Sequence, residues 1–220
     1  MNHNLVILGA SGNVYDLLDI IDAINASGSM WNILGILDDR RPVGSDFAGV
    51  KILGPIRDAM RFSDALFINA IRSEKTFRNM GHIIAATGLD DSRFAKLIHP
   101  ASSVSARAKV GRDVFVNFGA SIARNVTISD HVSIGPNCIV GHDSFIDSYT
   151  AVAAGAILSG GVHVEQRCYI GTGAMIRQQI RISSGALIGM GAVVVKDVEP
   201  DSVVVGNPAR PLLRPSTITI

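Results

Sequence analysis

Between Val104 and Val194, Val, Ile or Leu stands at every sixth position for sixteen consecutive hexads. If about a third of positions held those types, an unbroken series of that length would have odds on the order of 10⁻⁸. The position four residues after each member is restricted too, running Ala108, Val114, Ala120, Val126, Val132, Cys138 and onward to Ala192 and Val198. A period of six matches neither the 3.6 of a helix nor the simple alternation of a strand. It matches a chain that turns a corner every six residues, so that three hexads close one triangular coil around an aliphatic axis. The expected architecture is a parallel β-helix of hexapeptide repeats, in which positions i and i+18 stack.

A chain of 220 residues has room for one large or two small domains. Its formal net charge of +1, with no basic stripe interleaved with aromatics, argues against a nucleic-acid partner or an anionic membrane surface. No apolar run approaches the ~20 residues of a membrane span. Met1-Asn2-His3-Asn4, ahead of Leu5–Leu8, lacks the basic start of a signal peptide. The two cysteines, Cys138 and Cys168, fall on small inward positions and read as packed thiols in a reducing compartment, with no disulfide and no metal. A cytoplasmic protein without membrane insertion is expected.

Ahead of the hexads the grammar is that of a small parallel α/β sheet. Leu5–Leu8 reads as a strand, Val14 to Ala26 as an amphipathic helix, and Ile33–Leu37 as a second strand ended by Asp38-Asp39 and a polar loop. Ala65–Ile71 is the expected third strand, Lys75–Thr87 a second long helix, and Phe94–Ile98 a fourth strand. His99-Pro100 breaks the pattern, which puts one domain at 1–100 and a second, of repeats, at 101–220. The stretch from Val205 to Pro211 leaves the hexad phase and reads as an extended strap.

Four features carry chemistry. Gly9-Ala10-Ser11-Gly12-Asn13 joins a strand to a helix, where backbone N–H groups either cradle a phosphate or simply form a tight turn. Asp38 and Asp39 end the next strand, placed either to accept from a ribose or base, or to solvate a turn. The column Gly135, Ala153, Gly171, Gly189 leaves a thin corner, from turn geometry or to let an extended ligand lie on the main chain. Among the histidines of the repeats, His131 and His163 read as surface residues. His142 sits at a corner between Gly141 and Asp143, with Gly160 one coil along. A base, an orienting acid and an unobstructed backbone donor describe acyl transfer; a chance exposed His-Asp pair is the alternative. No G-x-S-x-G elbow or outward cysteine supports a covalent route, so direct attack on a thioester is the simpler mechanism.

These residues resemble the bacterial sugar acyltransferases of the sialic acid O-acetyltransferase type, which include N-acetyltransferases of nucleotide-linked 4-amino sugars. The resemblance runs from Met1 to about Arg214. It rests on the Gly9–Gly12 opening, Leu37-Asp38-Asp39, Leu97-Ile98-His99-Pro100, the hexads, Val140-Gly141-His142-Asp143 and Gly206-Asn207-Pro208-Ala209. It implies a small Rossmann-like nucleotide-sugar domain, a left-handed β-helix, a homotrimer, and acetyl-CoA as co-substrate in the groove between neighbouring β-helices. His142 falls on the family's general base, Asp143 on its acid and Gly160 on the donor to the thioester carbonyl. Coenzyme contacts fall on Gly160, Thr172, Gly189 and Pro208, and substrate contacts on Gly12, Asn13, Asp38 and Asp39. Three departures stand out: Gly12-Asn13-Val14 for the family's Gly-His-Gly, Ala151 for a second histidine, and Ile71-Arg72-Ser73 for Ile-Gly-Asn.

The leading expectation is an acetyl-CoA-dependent N-acetyltransferase of a nucleotide-linked amino sugar, serving surface-glycan synthesis. An O-acetyltransferase of a sugar hydroxyl is the runner-up, and a non-catalytic trimeric binding protein the third.

Overall fold

The computed structural model describes residues 2–28 and 30–212. Met1, Arg214 and the rest of 213–220, which the sequence reading included, lie outside the described residues.

The amino-terminal sheet is built from β1 (Asn2–Leu8), β2 (Met30–Leu37), β3 (Asp46–Phe47), β4 (Val50–Gly54) and β5 (Ala65–Asn69), in the order β3-β4-β2-β1-β5. Leu5–Leu8 are entirely buried, as expected of a central strand covered on both faces. Helix α1 (Asn13–Ala26) buries Val14, Leu17, Ile20 and Ile21 against one face of the sheet, the helical period read from the sequence.

Three expectations for this region change. The polar loop after Asp39 contains the β3–β4 hairpin, which is antiparallel, so the sheet is mixed. The second long helix shrinks to α2 (Met80–Ala85), preceded by a 3-10 turn at Phe77–Asn79. Its upstream part is a local knot of Ser73 and Thr76 side chains bonded to nearby backbone, an arrangement that competes with a helix. The fourth strand, β6 (Lys96–Ile98), pairs with Val114–Val116 of the repeats; only a single bridge, Phe94 to Phe67, ties this segment to β5.

From residue 103 to 194 each strand, two residues long except Val114–Val116, lies in parallel register with the strand eighteen residues away, such as Thr127 opposite Phe145 and Ile128 opposite Ile146. Three sheets result, and each coil gives one strand to each. We name them face A (with Ile139–Val140), face B (Phe145–Ile146) and face C (Ala151–Val152). The aliphatic series and its small companions form one continuous buried core, from Val114 to Val204, with Val104, Ala108 and Val110 of the end coil partly exposed. Each fully buried Val, Ile or Leu contributes about 1.5–3 kcal/mol. Cys138 and Cys168 sit in this core, and burial pushes their thiols up to about 11 and about 12. The carboxy-terminal strap is a hairpin: Val203–Val205 extends face C and Arg210–Pro211 folds back on it.

The sheet domain lies along face C. Phe115 belongs to its core, Phe77 packs on Tyr169 at 5.9 Å, and the Arg78 guanidinium donates to the carbonyls of Gly185 and Asp201. The left-handed backbone positions explain this choice of face. Each corner has one such position. It holds Asn125, Asp143, Gly161 and Gln179 between A and B, and glycine or Asn137 between C and A. Between B and C it holds Asp113, His131, Tyr149, Arg167 and Gly185. A bulky residue there costs about 1–2 kcal/mol. His131 and Asp113 offset that cost with contacts to the sheet domain.

His131 therefore corrects the sequence reading. It is 2% exposed, not a surface residue, because the sheet domain covers it. Its Nδ1 lies 3.0 Å from Asp113 Oδ2 and its Nε2 3.3 Å from Asp91 Oδ1, while Tyr149 stacks on the ring at 4.9 Å. His163 is exposed, as read.

Candidate active site

His142 occupies the corner between faces A and B, one residue before the left-handed Asp143. Its Nδ1 donates to Asp143 Oδ2 at 2.8 Å, which leaves Nε2 with its lone pair outward. Asp143 Oδ1 in turn accepts from the Asn125 amide at 2.9 Å. That donor, and the imidazole beside it, hold the Asp143 carboxyl below the usual carboxylate range. Both side chains are open to solvent, 71% and 58% exposed, so a second molecule has access to the pair.

Gly160 lies under the ring. A methyl group placed on its Cα would stand 2.7 Å from His142 Nε2 and 2.8 Å from Cε1. Glycine is needed there by the imidazole, since the backbone is not left-handed. The Gly160 carbonyl accepts from Gln179, whereas its N–H donates to no described group. A ring nitrogen that can take a proton therefore stands over a residue whose N–H has no described acceptor, the two kinds of group that acyl transfer uses.

The thin column between faces C and A has a different cause. A Cβ on Gly135 would meet Ala154 N at 2.7 Å, and one on Gly171 would meet Ile188 O at 2.6 Å. Coil stacking requires these glycines, so the column itself is not evidence of a ligand groove. Thr172 and Gly189 are at this corner, with Pro208 beside it in the terminal turn, where Gly206 and Ala209 bond Val193. One chain thus does not bring together the expected coenzyme residues. His142 and Gly160 lie at one edge of face A, and Thr172, Gly189 and Pro208 lie at the other.

A second feature is a cleft of about 880 Å³ at the carboxyl ends of β1, β2 and β5, a size typical of small-molecule sites. Asp38 and Asp39 line it together with Arg40, Arg41 and His82. Both acids are already partly engaged. Asp38 accepts from the Ala10, Arg40 and Arg41 amides, and Asp39 Oδ1 from the Ile56 amide. Asp38 holds the glycine turn against β2, and Asp39 Oδ2 is the carboxylate oxygen without a described partner. Asn13 donates from Nδ2 to the carbonyls of Ala70 and Arg72, so its amide braces the loop after β5. Gly12 is the N-cap of α1 and lies outside the cleft lining, as does Asn13.

Sequence reasoning missed Arg72. Its side chain is 3% exposed and pairs with Asp113 at 2.9 Å; it also donates to the His131 carbonyl, joining the sheet domain to the coil. Burial lowers its pKa from the usual arginine value, and Asp113 opposes the shift. The available signal was His131, Tyr149 and Arg167 at successive B–C corners, in the position that holds glycine or Asn137 between C and A. Among the described residues, no cluster of three or more His, Cys, Asp or Glu has metal-binding geometry, and no helix is long and apolar enough to cross a membrane.

No family model matches the chain, and no curated protein does. Solved structures do. The acetyltransferase domain of PglB from Neisseria gonorrhoeae, also solved with acetyl coenzyme A, is 29% identical with a TM-score of 0.82, over 96% of this chain and 100% of that one. PerB from Caulobacter crescentus, solved with CoA and GDP-perosamine, is 25% identical with a TM-score of 0.80, over 95% and 97%. WeeI from Acinetobacter baumannii shares the fold at 22% identity and a TM-score of 0.65, over 96% and 100%.

Proposed function

We propose that this protein is an acetyl-CoA-dependent N-acetyltransferase that acts on a nucleotide-linked amino sugar for surface-glycan synthesis. Fold alone does not give function. The observation that carries the reading is His142 Nε2 directly over Gly160, in a chain alike over nearly its whole length to the PglB domain and to PerB. In this reading the coil is a left-handed β-helix and the sheet is a small Rossmann-like domain. Its cleft takes the nucleotide, with Asp39 Oδ2 accepting from a ribose or base.

The acceptor amine attacks the acetyl carbonyl carbon as His142 Nε2 removes its proton. Asp143 keeps the imidazole in the competent tautomer and stabilises the imidazolium. The Gly160 N–H bonds the carbonyl oxygen as negative charge builds on it. The carbon–sulfur bond then breaks, and the thiolate leaves and takes up the proton.

Assembly follows from the same layout. In a triangular coil, His142 at the A–B corner is opposite face C, where the sheet domain and its cleft are. A chain's cleft is therefore on the wrong side of the coil for its own His142. Face A also presents Ile139 and Met175, each more than two-fifths exposed, beside Ile157 and Val193. A homotrimer that buries this stripe would bring one copy's His142 and Gly160 to its neighbour's Thr172, Gly189 and Pro208.

The test is thiol release from acetyl-CoA with a panel of UDP-, GDP- and dTDP-linked amino sugars, alongside free sialic acid. Turnover with one of the nucleotide-linked amines supports the proposal. Turnover with sialic acid alone would replace it with hydroxyl acetylation, and turnover with none would refute it.

A further inference from the structure

Three successive B–C corners carry a side chain on left-handed backbone, with φ of 49° at Asp113, 59° at His131 and 63° at Tyr149. Strain of this kind persists where the surroundings enforce it, and it gathers at functional sites. Arg167, next in the column, is exposed, whereas Asp113 and His131 are buried and Tyr149 is half-buried.

Each of the three grips a different part of the sheet domain, and two of those parts are walls of the large cleft. Asp113 accepts from the Asn69 amide at 2.7 Å and from the Arg72 guanidinium at 2.9 Å. That pins the end of β5 and the loop Ile71–Ser73, which lines the cleft. Tyr149 lies against α2, where a Cβ on Gly81 would stand 3.9 Å from its ring. The next two residues of α2, His82 and Ile83, line the cleft as well. His131 stands between, stacked on Tyr149, with one ring nitrogen at Asp113 and the other at Asp91 of the sheet domain. None of the three corner residues lines the cleft itself.

We infer that Asp113, His131 and Tyr149 are positioning residues: they hold the cleft at one height and angle on the coil, so that a bound nucleotide-linked amine meets a neighbouring chain's His142. The inference rests on the proposed function and adds to it residues outside both ligand sites. An apolar patch would join the two bodies without fixing their orientation. Hydrogen bonds have set lengths and angles, so they fix direction as well as contact. Direction matters here, because a reacting group about 1 Å out of place can lose about 10²-fold in rate.

Kinetics and calorimetry together separate positioning from mere support. His131→Asn and Tyr149→Asn install a residue that other corners of this coil carry at the same φ, as Asn125 and Asn137 do, so the coil keeps its backbone. Asp113 keeps Arg72 and Asn69 in both variants, so no buried charge loses its partner. With GDP-perosamine and a UDP-linked 4-amino sugar as acceptors, kcat should fall about tenfold in each variant and about 10²-fold in the double variant. Binding of bare GDP or UDP, and KM for acetyl-CoA, should stay within about twofold. Wild-type turnover in the double variant would overturn the inference. A matching loss of bare-nucleotide binding would overturn it too, because the column would then only support the shape of the cleft. Wild-type protein that turns over neither acceptor would overturn the proposed function along with it.

Discussion

At the residue scale, the proposed chemistry depends on the contact between His142 and Gly160. Gly160→Ala should displace the imidazole, because the new methyl group would sit 2.7 Å from Nε2. The side chain can swing away without moving the main chain, so stability is spared and geometry is lost. We expect kcat to fall by about 10²-fold, with the melting temperature within about 2 °C of wild type, read by steady-state kinetics and calorimetry. Wild-type turnover in Gly160→Ala would remove Gly160 from the site. Asn125 gives a second handle. Its amide is the foremost cause of the depressed Asp143 pKa, with His142 next. Removing it by Asn125→Ala should move the Asp143 carboxyl midpoint upward, seen by carbon-13 NMR titration. Because the folded pKa is depressed, the anion's contribution to the site is present at neutral pH and lost as pH falls through that midpoint. In the variant it should be lost at a higher pH.

At the scale of elements, the hexads were legible because burial enforces them: each inward residue meets the axis, and one wrong choice costs a cavity. The pairing of coils, the inward cysteines and the His142 corner all follow from that phase. The hairpin after Asp39 was not legible, because β3 is only two residues long and Val50–Gly54 is too brief to display a period. The second helix was misjudged because the Ser73–Thr76 side-chain bonds leave no mark in hydrophobic periodicity. Arg72 and His131 were misplaced for a related reason: a column shows which residues stack within the coil, and nothing about what another domain lays over it. Their network should be stabilising in a testable way. Arg72→Met leaves the Asp113 carboxylate buried without its guanidinium, which should cost about 3–5 kcal/mol in urea denaturation. Adding Asp113→Asn should recover part of the loss; an Arg72→Met variant as stable as wild type would contradict the network's role.

At the scale of the molecule, His142 and the cleft belong to opposite sides of the coil, and the expected coenzyme residues divide between two edges of face A. The proposed homotrimer, of about 70 kDa or three times the 23.3 kDa chain, would resolve both separations. Mixed assemblies test it. Unfolding and refolding His142→Ala chains together with chains disabled in the cleft by Asp39→Asn should restore activity that neither variant has alone; no gain on mixing would mean that each chain works by itself. The most direct measurement of the central claim is acetyl transfer by wild type and His142→Ala, with a nucleotide-linked 4-amino sugar as acceptor and the product weighed by mass spectrometry. The expected result is an N-acetylated nucleotide sugar, and a kcat about 10²–10⁴-fold lower in the variant with KM for acetyl-CoA little changed. A variant that keeps most of its turnover, or a product acetylated on oxygen, would contradict it.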